Sequence, residues 1–210
     1  MVEIILIRHG LTLWNRAARI QGISDVELSE EGLRQAELLA KNFPFDKVDA
    51  VYSSDLSRAK TTAKFVADKF NLPVQTTAEL REVDFGIWEG KYFSELEKFD
   101  ADNLKTFYKN PDELKLDRAE TFQQAQSRAM NAIKKIIANH ESDGDSRIVA
   151  VAHGSINRTI LCAILDIPLK NMWRLSQFNT AINILRVDDG NFTVQLLNST
   201  AHIDLEKFLP

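Results

Sequence analysis

Two histidines in this sequence are each followed directly by glycine, in Ile7-Arg8-His9-Gly10 and in Val151-Ala152-His153-Gly154. Each pair ends a short apolar run, which is typical of a strand buried on both faces. Ligands of open α/β sheets bind just beyond the carboxyl ends of the strands, so the two imidazoles could meet there. Glycine after each histidine leaves room for a ligand and leaves backbone N–H groups free to face an anion. The pattern indicates an anion site; the alternative is that either histidine is a loop residue or a helix cap.

Other sites with similar chemistry are not indicated by the sequence. There is no His-Glu-x-x-His motif and no pair of cysteines, and Arg8 beside His9 would repel a metal dication. No Gly-x-x-x-x-Gly-Lys-Ser/Thr loop is present. No arginine follows Cys162 closely enough to close a cysteine-phosphatase loop, so Cys162 is predicted to be a core residue. Asp100-Ala101-Asp102 follows a charged stretch instead of an apolar strand, which argues against an aspartate nucleophile.

Predicted strands and helices alternate along the chain. Strands are predicted at residues 4–7, 48–53, 72–75, 148–152, 181–187 and 192–197. Amphipathic helices are predicted after a Ser29 cap and ending at Pro44, from Asp55 onward, at 120–140 and at 156–165. Asp189-Gly190 predicts a hairpin between the last two strands. These elements predict a three-layer α/β fold with a mainly parallel sheet, helices on both faces and an antiparallel edge strand.

Residues 91–118 depart from this alternation. They hold five aromatic residues among seven acids and six bases, with no long periodicity. We interpret them as a small lid-like excursion over the sheet; a pair of short packing helices is a compatible alternative. Residues 1–210 are expected to form a single domain.

The composition excludes several classes of protein. The chain has 210 residues, with 26 Lys and Arg against 30 Asp and Glu, and a formal net charge of −4. This balance gives no electrostatic reason to expect nucleic acid or an anionic membrane as a partner. No apolar run approaches the roughly 20 residues that span a bilayer. A single cysteine and an N-terminus without the pattern of a secretory signal lead us to expect a cytoplasmic protein. Its oligomeric state, monomer or homodimer, is left open.

The motifs together resemble the histidine phosphatase superfamily, in the branch (branch 1) that includes cofactor-dependent phosphoglycerate mutase. The resemblance begins at Leu6-Ile7-Arg8-His9-Gly10 with Thr12 and Trp14-Asn15 and spans roughly residues 4–158. The later blocks, in the family's order, are Gln21-Gly22, Asp25, Leu28-Ser29, Gly32, Ala36, Ser53-Ser54-Asp55-Leu56-Ser57-Arg58-Ala59, Thr62-Ala63, Leu80-Arg81-Glu82, Phe85-Gly86, Trp88-Glu89-Gly90 and His153-Gly154.

The resemblance implies a reaction through a phosphorylated histidine. His9 attacks phosphorus in line and water then hydrolyses the phosphohistidine, while its second ring nitrogen is held as a donor, by a backbone carbonyl. Arg8 and Arg58 bind the phosphate oxygens, and His153, cationic when substrate is bound, adds another donor. Glu82 is the matching general acid for the leaving group; without the resemblance it would be a surface salt-bridge residue. Neither a metal nor a cofactor is implied.

The resemblance also implies substrate-binding residues around this set: Thr12, Asn15, Gln21, Gly22 and Gly154. Two positions depart from the family's pattern, Leu11 and Ala119, and the second leaves a substrate-facing role of Glu120 in doubt. The C-terminal segment with His202 and Asp204 either helps to close the site or simply packs.

Three functions are compatible with the sequence. We expect a metal-independent phosphomonoesterase, a hydrolase that acts on a small phosphorylated metabolite. The alternative within the enzymes is a phosphoglycerate mutase, which needs a basic, extended lid to hold a bisphosphate. Residues 91–118 are instead nearly neutral, compact and aromatic. Such a lid favours hydrolysis and a substrate with an apolar or ring-bearing part. A non-catalytic phospholigand-binding scaffold would predict loss of His9 or Glu82, and both are present.

Overall fold

The computed structural model describes residues 1–203, apart from the side chain of Asp143. Its strands are β1 (Val2–Arg8), β2 (Ala50–Ser54), β3 (Val74–Thr77), β4 (Ser146–Ala152), β5 (Ile182–Asp188) and β6 (Asn191–Ser199). They form one sheet in the order β3-β2-β4-β1-β5-β6. β1 to β4 are parallel where they pair, while β5 pairs antiparallel with both β1 and β6. The predicted mainly parallel sheet with an antiparallel edge is confirmed.

The helices are α1 (Leu13–Arg16), α2 (Glu30–Lys41), α3 (Ser57–Lys69), α4 (Phe93–Phe99), α5 (Ala101–Lys109), α6 (Phe122–Ala138) and α7 (Gly154–Ile164). Helices α6 and α7 supply apolar residues to the core on one face of the sheet, and α2 and α3 to the core on the other. No helix within residues 1–203 is long and apolar enough to cross a membrane.

The position of β1 in the middle of the sheet, with both faces covered, explains why its sequence is continuously apolar. Ile4 and Leu6 enter the core beneath α6 and α7, while Ile5 and Ile7 enter the opposite core. All four side chains are completely buried. Since full burial of one such side chain contributes roughly 1.5–3 kcal/mol, this strand anchors both layers.

Helix α3 begins later than the sequence predicts. Its first residue is Ser57, and Leu56 occupies the cap position without a side-chain hydrogen bond. Asp55, the predicted start, instead accepts from Arg81 through both carboxylate oxygens, at 2.7 and 2.6 Å. The guanidinium fork matches the carboxylate geometry, so this ion pair takes the side chain that would otherwise have capped the helix.

Residues 91–118 contain the two short helices α4 and α5, as the packing alternative predicts. Leu96, Leu104 and Phe107 are their buried side chains. The predicted hairpin is also present, because Asp189 (φ 47°) and Gly190 (φ 74°) both have the positive φ of a two-residue turn between β5 and β6.

Candidate active site

The two histidines meet at the carboxyl ends of neighbouring strands. In the parallel register, Arg8 of β1 pairs with Ala152 of β4, so His9 and His153 are the next residues on both strands. The backbone N–H of His9 donates to the carbonyl of Ala152 at 3.0 Å. Their ring centroids lie 5.1 Å apart, with the ring planes inclined at 59°. The predicted meeting of the two imidazoles is therefore observed.

The tautomer of His9 follows from one hydrogen bond. Its Nδ1 lies 2.7 Å from the carbonyl oxygen of Gly10. Because a carbonyl oxygen only accepts, Nδ1 carries the proton and Nε2 keeps its lone pair. Burial, together with the nearby cations Arg58 and Arg8, holds the pKa of His9 well below its usual 6.5. The ring is therefore neutral, as a nucleophile must be, and a backbone carbonyl holds it as predicted.

His153 has the opposite tautomer. Its Nδ1 accepts from Nε of Arg58 at 3.2 Å, so a neutral ring carries its proton on Nε2. That nitrogen is buried and has no hydrogen-bond partner. Burial, and after it the charge of Arg58, holds the pKa of His153 well below 6.5. A cationic His153, as expected with substrate, does not fit this hydrogen bond, because protonated Nδ1 could not accept from Arg58.

Arg8 and Arg58 differ in how they are held. Arg58 is completely buried, and its two terminal nitrogens donate to the carbonyls of Ser24 and Gly22, at 2.8 and 2.7 Å. Arg8 donates from Nη1 to the carbonyl of Gln177 at 2.6 Å, while its buried Nε has no partner. Desolvation lowers the pKa of both guanidinium groups to about 10, so both stay charged near neutral pH.

Glu82 reaches the site from the loop after β3, and only 9% of its surface is exposed. Its Oε2 accepts from the N–H of Ser155 at 3.0 Å, and its Oε1 from Ile156 at 2.9 Å and Val83 at 3.0 Å. Ser155 and Ile156 belong to the first turn of α7, where the helix dipole favours a carboxylate. Glu82 is thus fixed to the helix that begins directly after His153.

The cavity above these groups has a volume of about 240 Å³. Of the residues implied by the resemblance, Arg8, His9, Asn15, Gln21, Gly22, Arg58, Glu82 and Gly154 line it. His153 and Thr12 do not, and both are completely buried. Thr12 is the N-cap of α1, where its Oγ1 accepts from the N–H of Asn15 at 3.0 Å. Its hydroxyl also lies 3.0 Å from Oε1 of Gln21. Thr12 therefore positions two pocket residues from behind.

The two glycines after the histidines have different roles. A Cβ on Gly10 would lie 2.6 Å from the carbonyl oxygen of Gly32, and the Gly10 N–H donates to Thr62 at 3.0 Å. Gly10 therefore permits close packing against α2, and the prediction that its N–H faces an anion is wrong. A Cβ on Gly154 would instead lie 3.3 Å from Nε of Arg8, inside the cavity lining. Only Gly154 keeps space open for a ligand.

Part of the cavity lining was not among the predicted site residues, including an aromatic wall of Phe85, Phe93, Phe107, Tyr108 and Trp173, three of which belong to the predicted lid. The remaining lining residues are Arg19, Ile20, Phe85, Phe93, Phe107, Tyr108, Ser155, Arg158 and Trp173. Phe107 and Trp173 are in close contact, with ring centroids 4.6 Å apart and ring planes inclined at 46°. Arg158 could have been found, because it lies four residues after Gly154 and so on the same helix face. The sequence around Trp173 does not relate it to the site, because Trp173 lies in a separate turn at Leu169–Arg174.

Several other predicted residues lie outside the cavity lining. Glu120 pairs with Arg128 instead of facing the pocket. Cys162 is 1% exposed on α7, as a core residue should be, and burial raises its pKa to about 11. His202 is buried and lies 3.0 Å from the hydroxyl of Thr180, which supports packing. Asp204 lies outside the described residues.

Comparison with known proteins agrees with this geometry. The chain matches the histidine phosphatase superfamily (branch 1) over residues 4–200. It is 31% identical, over 100% of its length and 86% of the relative, to the metal-independent phosphoserine phosphatase of Arabidopsis thaliana. It is 30% identical to a probable phosphoglycerate mutase of Yersinia pestis, covering 98% of this chain and 96% of the relative. The solved structure of YhfR from Bacillus stearothermophilus is 32% identical with a TM-score of 0.91, covering 97% of this chain and 100% of that chain. The chain belongs to the histidine phosphatase superfamily, branch 1.

Proposed function

We propose that this chain is a metal-independent phosphomonoesterase that hydrolyses a small phosphorylated metabolite through a phosphohistidine on His9. The observation that carries the proposal is the 2.7 Å hydrogen bond between Nδ1 of His9 and the Gly10 carbonyl. It leaves the Nε2 lone pair free at a cavity that Arg8 and Arg58 also line. Phosphoserine phosphatases recur among the curated relatives and the solved structures, which supports hydrolysis as the reaction.

In the first step, Nε2 of His9 forms a bond to phosphorus as the ester P–O bond breaks. Arg8 and Arg58 offset the charge on the phosphoryl oxygens, and the Nε2–H of His153 is a further donor. Glu82, protonated at this stage, gives its proton to the departing alkoxide. The alcohol then leaves the cavity.

In the second step, water attacks the phosphorus of phosphohistidine. Glu82, now a carboxylate, takes one proton from that water as the P–N bond breaks. Inorganic phosphate leaves, and His9 regains its neutral form. Glu82 ends this step protonated, as the next cycle requires, and Arg8 and Arg58 supply the positive charge in both steps.

A phosphoglycerate mutase is the second candidate, supported by the relative of that name. A mutase must hold a bisphosphate and keep water from the phosphohistidine. We propose that residues 91–118 act as a lid within a single domain of residues 1–210, because Phe93, Phe107 and Tyr108 from this segment line the cavity. The aromatic side chains of this lid favour a substrate with one phosphate and an apolar portion over a substrate with two phosphates.

We also propose a cytoplasmic location, which the single buried thiol of Cys162 supports. The binding partner that we propose for the chain is its small phosphorylated substrate. Analytical ultracentrifugation distinguishes a monomer from a homodimer.

The experiment is hydrolysis of p-nitrophenyl phosphate in the presence of a chelator, followed by acid and alkaline quenching. We expect turnover and a phosphoenzyme that is stable in alkali and labile in acid. The His9→Ala variant should lose both, and His140→Ala, at a histidine that does not line the cavity, should keep both. Absence of turnover, or turnover that the chelator abolishes, contradicts the proposal. Efficient conversion of 3-phosphoglycerate to its 2-isomer with catalytic bisphosphate would favour the mutase.

A further inference from the structure

Glu89 is a partly buried carboxylate that the proposed reaction leaves unused. It follows the turn Gly86–Trp88 and does not line the cavity. Its Oε1 accepts from the N–H of Ile23 at 2.8 Å, and its Oε2 accepts from the N–H and the hydroxyl of Ser24 at 2.9 and 2.5 Å. Both oxygens are therefore hydrogen-bonded to the loop of residues 22–24, whose first residue lines the cavity.

The loop of residues 22–24 lies between Glu89 and Arg58. Arg58 donates to the carbonyls of Gly22 and Ser24 at 2.7 and 2.8 Å. The Gly22 carbonyl and the Ile23 N–H belong to the same peptide group, so that group accepts from Arg58 and donates to Glu89. Hydrogen bonds in such a chain polarise and strengthen one another. The guanidinium group thus holds the loop through its carbonyls, and the carboxylate holds it through its N–H groups.

The loop also approaches Glu89 more closely than a side chain at residue 22 would permit. Gly22 has a φ of 56°, in the left-handed region that favours glycine. A Cβ at this position would lie 1.9 Å from Oε1 of Glu89. Backbone conformation and packing therefore both fix the loop against this carboxylate.

The burial of Arg58 requires compensation by negative charge nearby. The acceptors of its three hydrogen bonds, one ring nitrogen and two carbonyls, are all neutral. Burial lowers the pKa of Arg58 to about 10, and the carboxylates of Glu82, Asp25 and Glu89 oppose this effect. Glu82 is neutral while it carries the proton for the leaving group, and Asp25 is exposed to solvent. Glu89 is therefore the partly buried charge that persists through both steps.

We propose that Glu89 is a positioning residue that holds Arg58, through the loop of residues 22–24, in the orientation that binds the phosphoryl group and donates to His153. The inference rests on the proposed phosphatase function. Glu89 touches neither the substrate nor the leaving group in this role, so its effect should be the same for every phosphomonoester.

The first test is Glu89→Gln, which keeps the size of the side chain but places an NH2 group against the N–H donors of the loop. We expect kcat/KM to fall at least about tenfold for p-nitrophenyl phosphate and alkyl phosphates alike, because Arg58 contacts the phosphoryl group that both share. The inhibition constant of inorganic phosphate should rise by a similar factor. The matched control is Glu3→Gln, which removes a partly buried carboxylate paired with Arg147 at the other end of β1 from His9 and should change neither value.

Two readouts distinguish positioning of Arg58 from general structural damage. Nitrogen-15 NMR should show that Nδ1 of His153, unprotonated in the wild type, becomes partly protonated in Glu89→Gln, because Arg58 is no longer held where it donates to this nitrogen. In a double-mutant cycle, Glu89→Gln should change kcat/KM by less than about twofold once Arg58→Gln is present. An unchanged His153 signal, or the same loss of kcat/KM with and without Arg58, would show that Glu89 does not act through Arg58.

The outcomes separate this inference from the proposed function. If the wild-type enzyme hydrolyses no phosphomonoester, the phosphatase proposal fails, whereas the NMR comparison and the binding of inorganic phosphate still test Glu89. Should Glu89→Gln misfold, Ser24→Ala decides, because it removes only the hydroxyl contact with Glu89. It should lower kcat/KM about threefold in the wild-type background and not in Arg58→Gln. No loss, or equal losses in both backgrounds, would refute the proposal.

Discussion

Arg58 donates its Nε–H to Nδ1 of His153 at 3.2 Å, and both side chains are completely buried. An arginine always donates, so this contact leaves a neutral His153 with one proton, on Nε2. The same guanidinium group also bonds the carbonyls of Gly22 and Ser24. Arg58 therefore fixes the tautomer of His153 and also holds the backbone of Gly22 and Ser24 at the cavity.

We predict that Arg58→Lys lowers kcat at least about 100-fold although the charge is kept, because an ammonium group cannot make these three contacts at once. Nitrogen-15 NMR of the imidazoles should show unprotonated Nδ1 in wild-type His153. A protonated Nδ1 in the wild-type protein would contradict the tautomer assignment, and full activity of the lysine variant would contradict the catalytic role of the three Arg58 contacts.

Buried histidines predict how stability depends on pH. The pKa values of His9 and His153 lie well below 6.5, and that of His202 is lowered by burial to about 4. Below pH 6.5 the unfolded chain therefore binds protons that the folded chain does not, so the free energy of unfolding falls as the pH falls. The expected slope is roughly 1.4 kcal/mol per pH unit for each histidine, and the contribution of His202 is lost between pH 6.5 and about 4.

Urea unfolding at several pH values between 7.5 and 5 measures this slope. In the His202→Gln variant the free energy of unfolding should change less steeply with pH, by the roughly 1.4 kcal/mol per pH unit that one histidine contributes. His202 lies away from the cavity lining and titrates in this range only on unfolding. A free energy of unfolding that stays constant or rises as the pH falls through this range would rule out the buried neutral histidines.

The two active-site glycines should respond differently to alanine. Gly10→Ala places a Cβ 2.6 Å from a backbone oxygen of Gly32, so we expect a loss of stability of about 1–3 kcal/mol or more. Gly154→Ala meets the guanidinium groups of Arg8 and Arg158 at 3.3 Å, so we expect reduced kcat/KM with a smaller loss of stability. Thermal unfolding and steady-state kinetics on both variants test this, and the reverse pattern would contradict the packing role of Gly10.

Arg128 is predicted to position Glu82. It donates to the carbonyls of Glu79 at 2.8 Å, Arg81 at 3.1 Å and Glu82 at 3.3 Å, and it pairs with Glu120. Arg128→Gln should displace the general acid, so hydrolysis of alkyl phosphates should fall about 100-fold. Aryl phosphates with good leaving groups need less protonation and should lose far less.

The matched control for this prediction is Lys135→Gln. Lys135 lies on the same helix and forms an exposed pair with Glu79 at 2.8 Å, so its loss should change neither class of substrate. An equal loss on alkyl and aryl phosphates in Arg128→Gln would indicate general structural damage and not displacement of the acid.

The central sheet and the histidine pair were predictable because their signals are local. Each strand that carries a histidine is buried on both faces, so its sequence is continuously apolar, and the strand end locates the site. The reason for Gly10 was not predictable, since it depends on the approach of Gly32 from another helix. The same limit applied to the protonation of His153, which depends on Arg58 of helix α3, distant in sequence.

The aromatic wall shows a second limit. Phe107 and Trp173 come from segments that are distant in sequence, and neither segment has a periodicity that relates it to the other. Thr12 was assigned to the substrate by its place in a motif, yet a buried hydroxyl at a helix N-terminus is more simply a cap. Motif position thus identified the neighbourhood of each residue, and hydrogen-bond geometry decided its role.

The strand order has a consequence for how the active site is assembled during synthesis. β1 lies between β4 and β5, so the first strand to leave the ribosome has no permanent neighbour until residues 146–152 have been made. Pairs so distant in sequence form late and raise the contact order, which slows folding. A nascent chain that stops before β4 would therefore carry His9 without Arg8's strand partner, without His153 and without α7, which holds Glu82. Phosphatase activity should consequently appear only after most of the polypeptide has emerged.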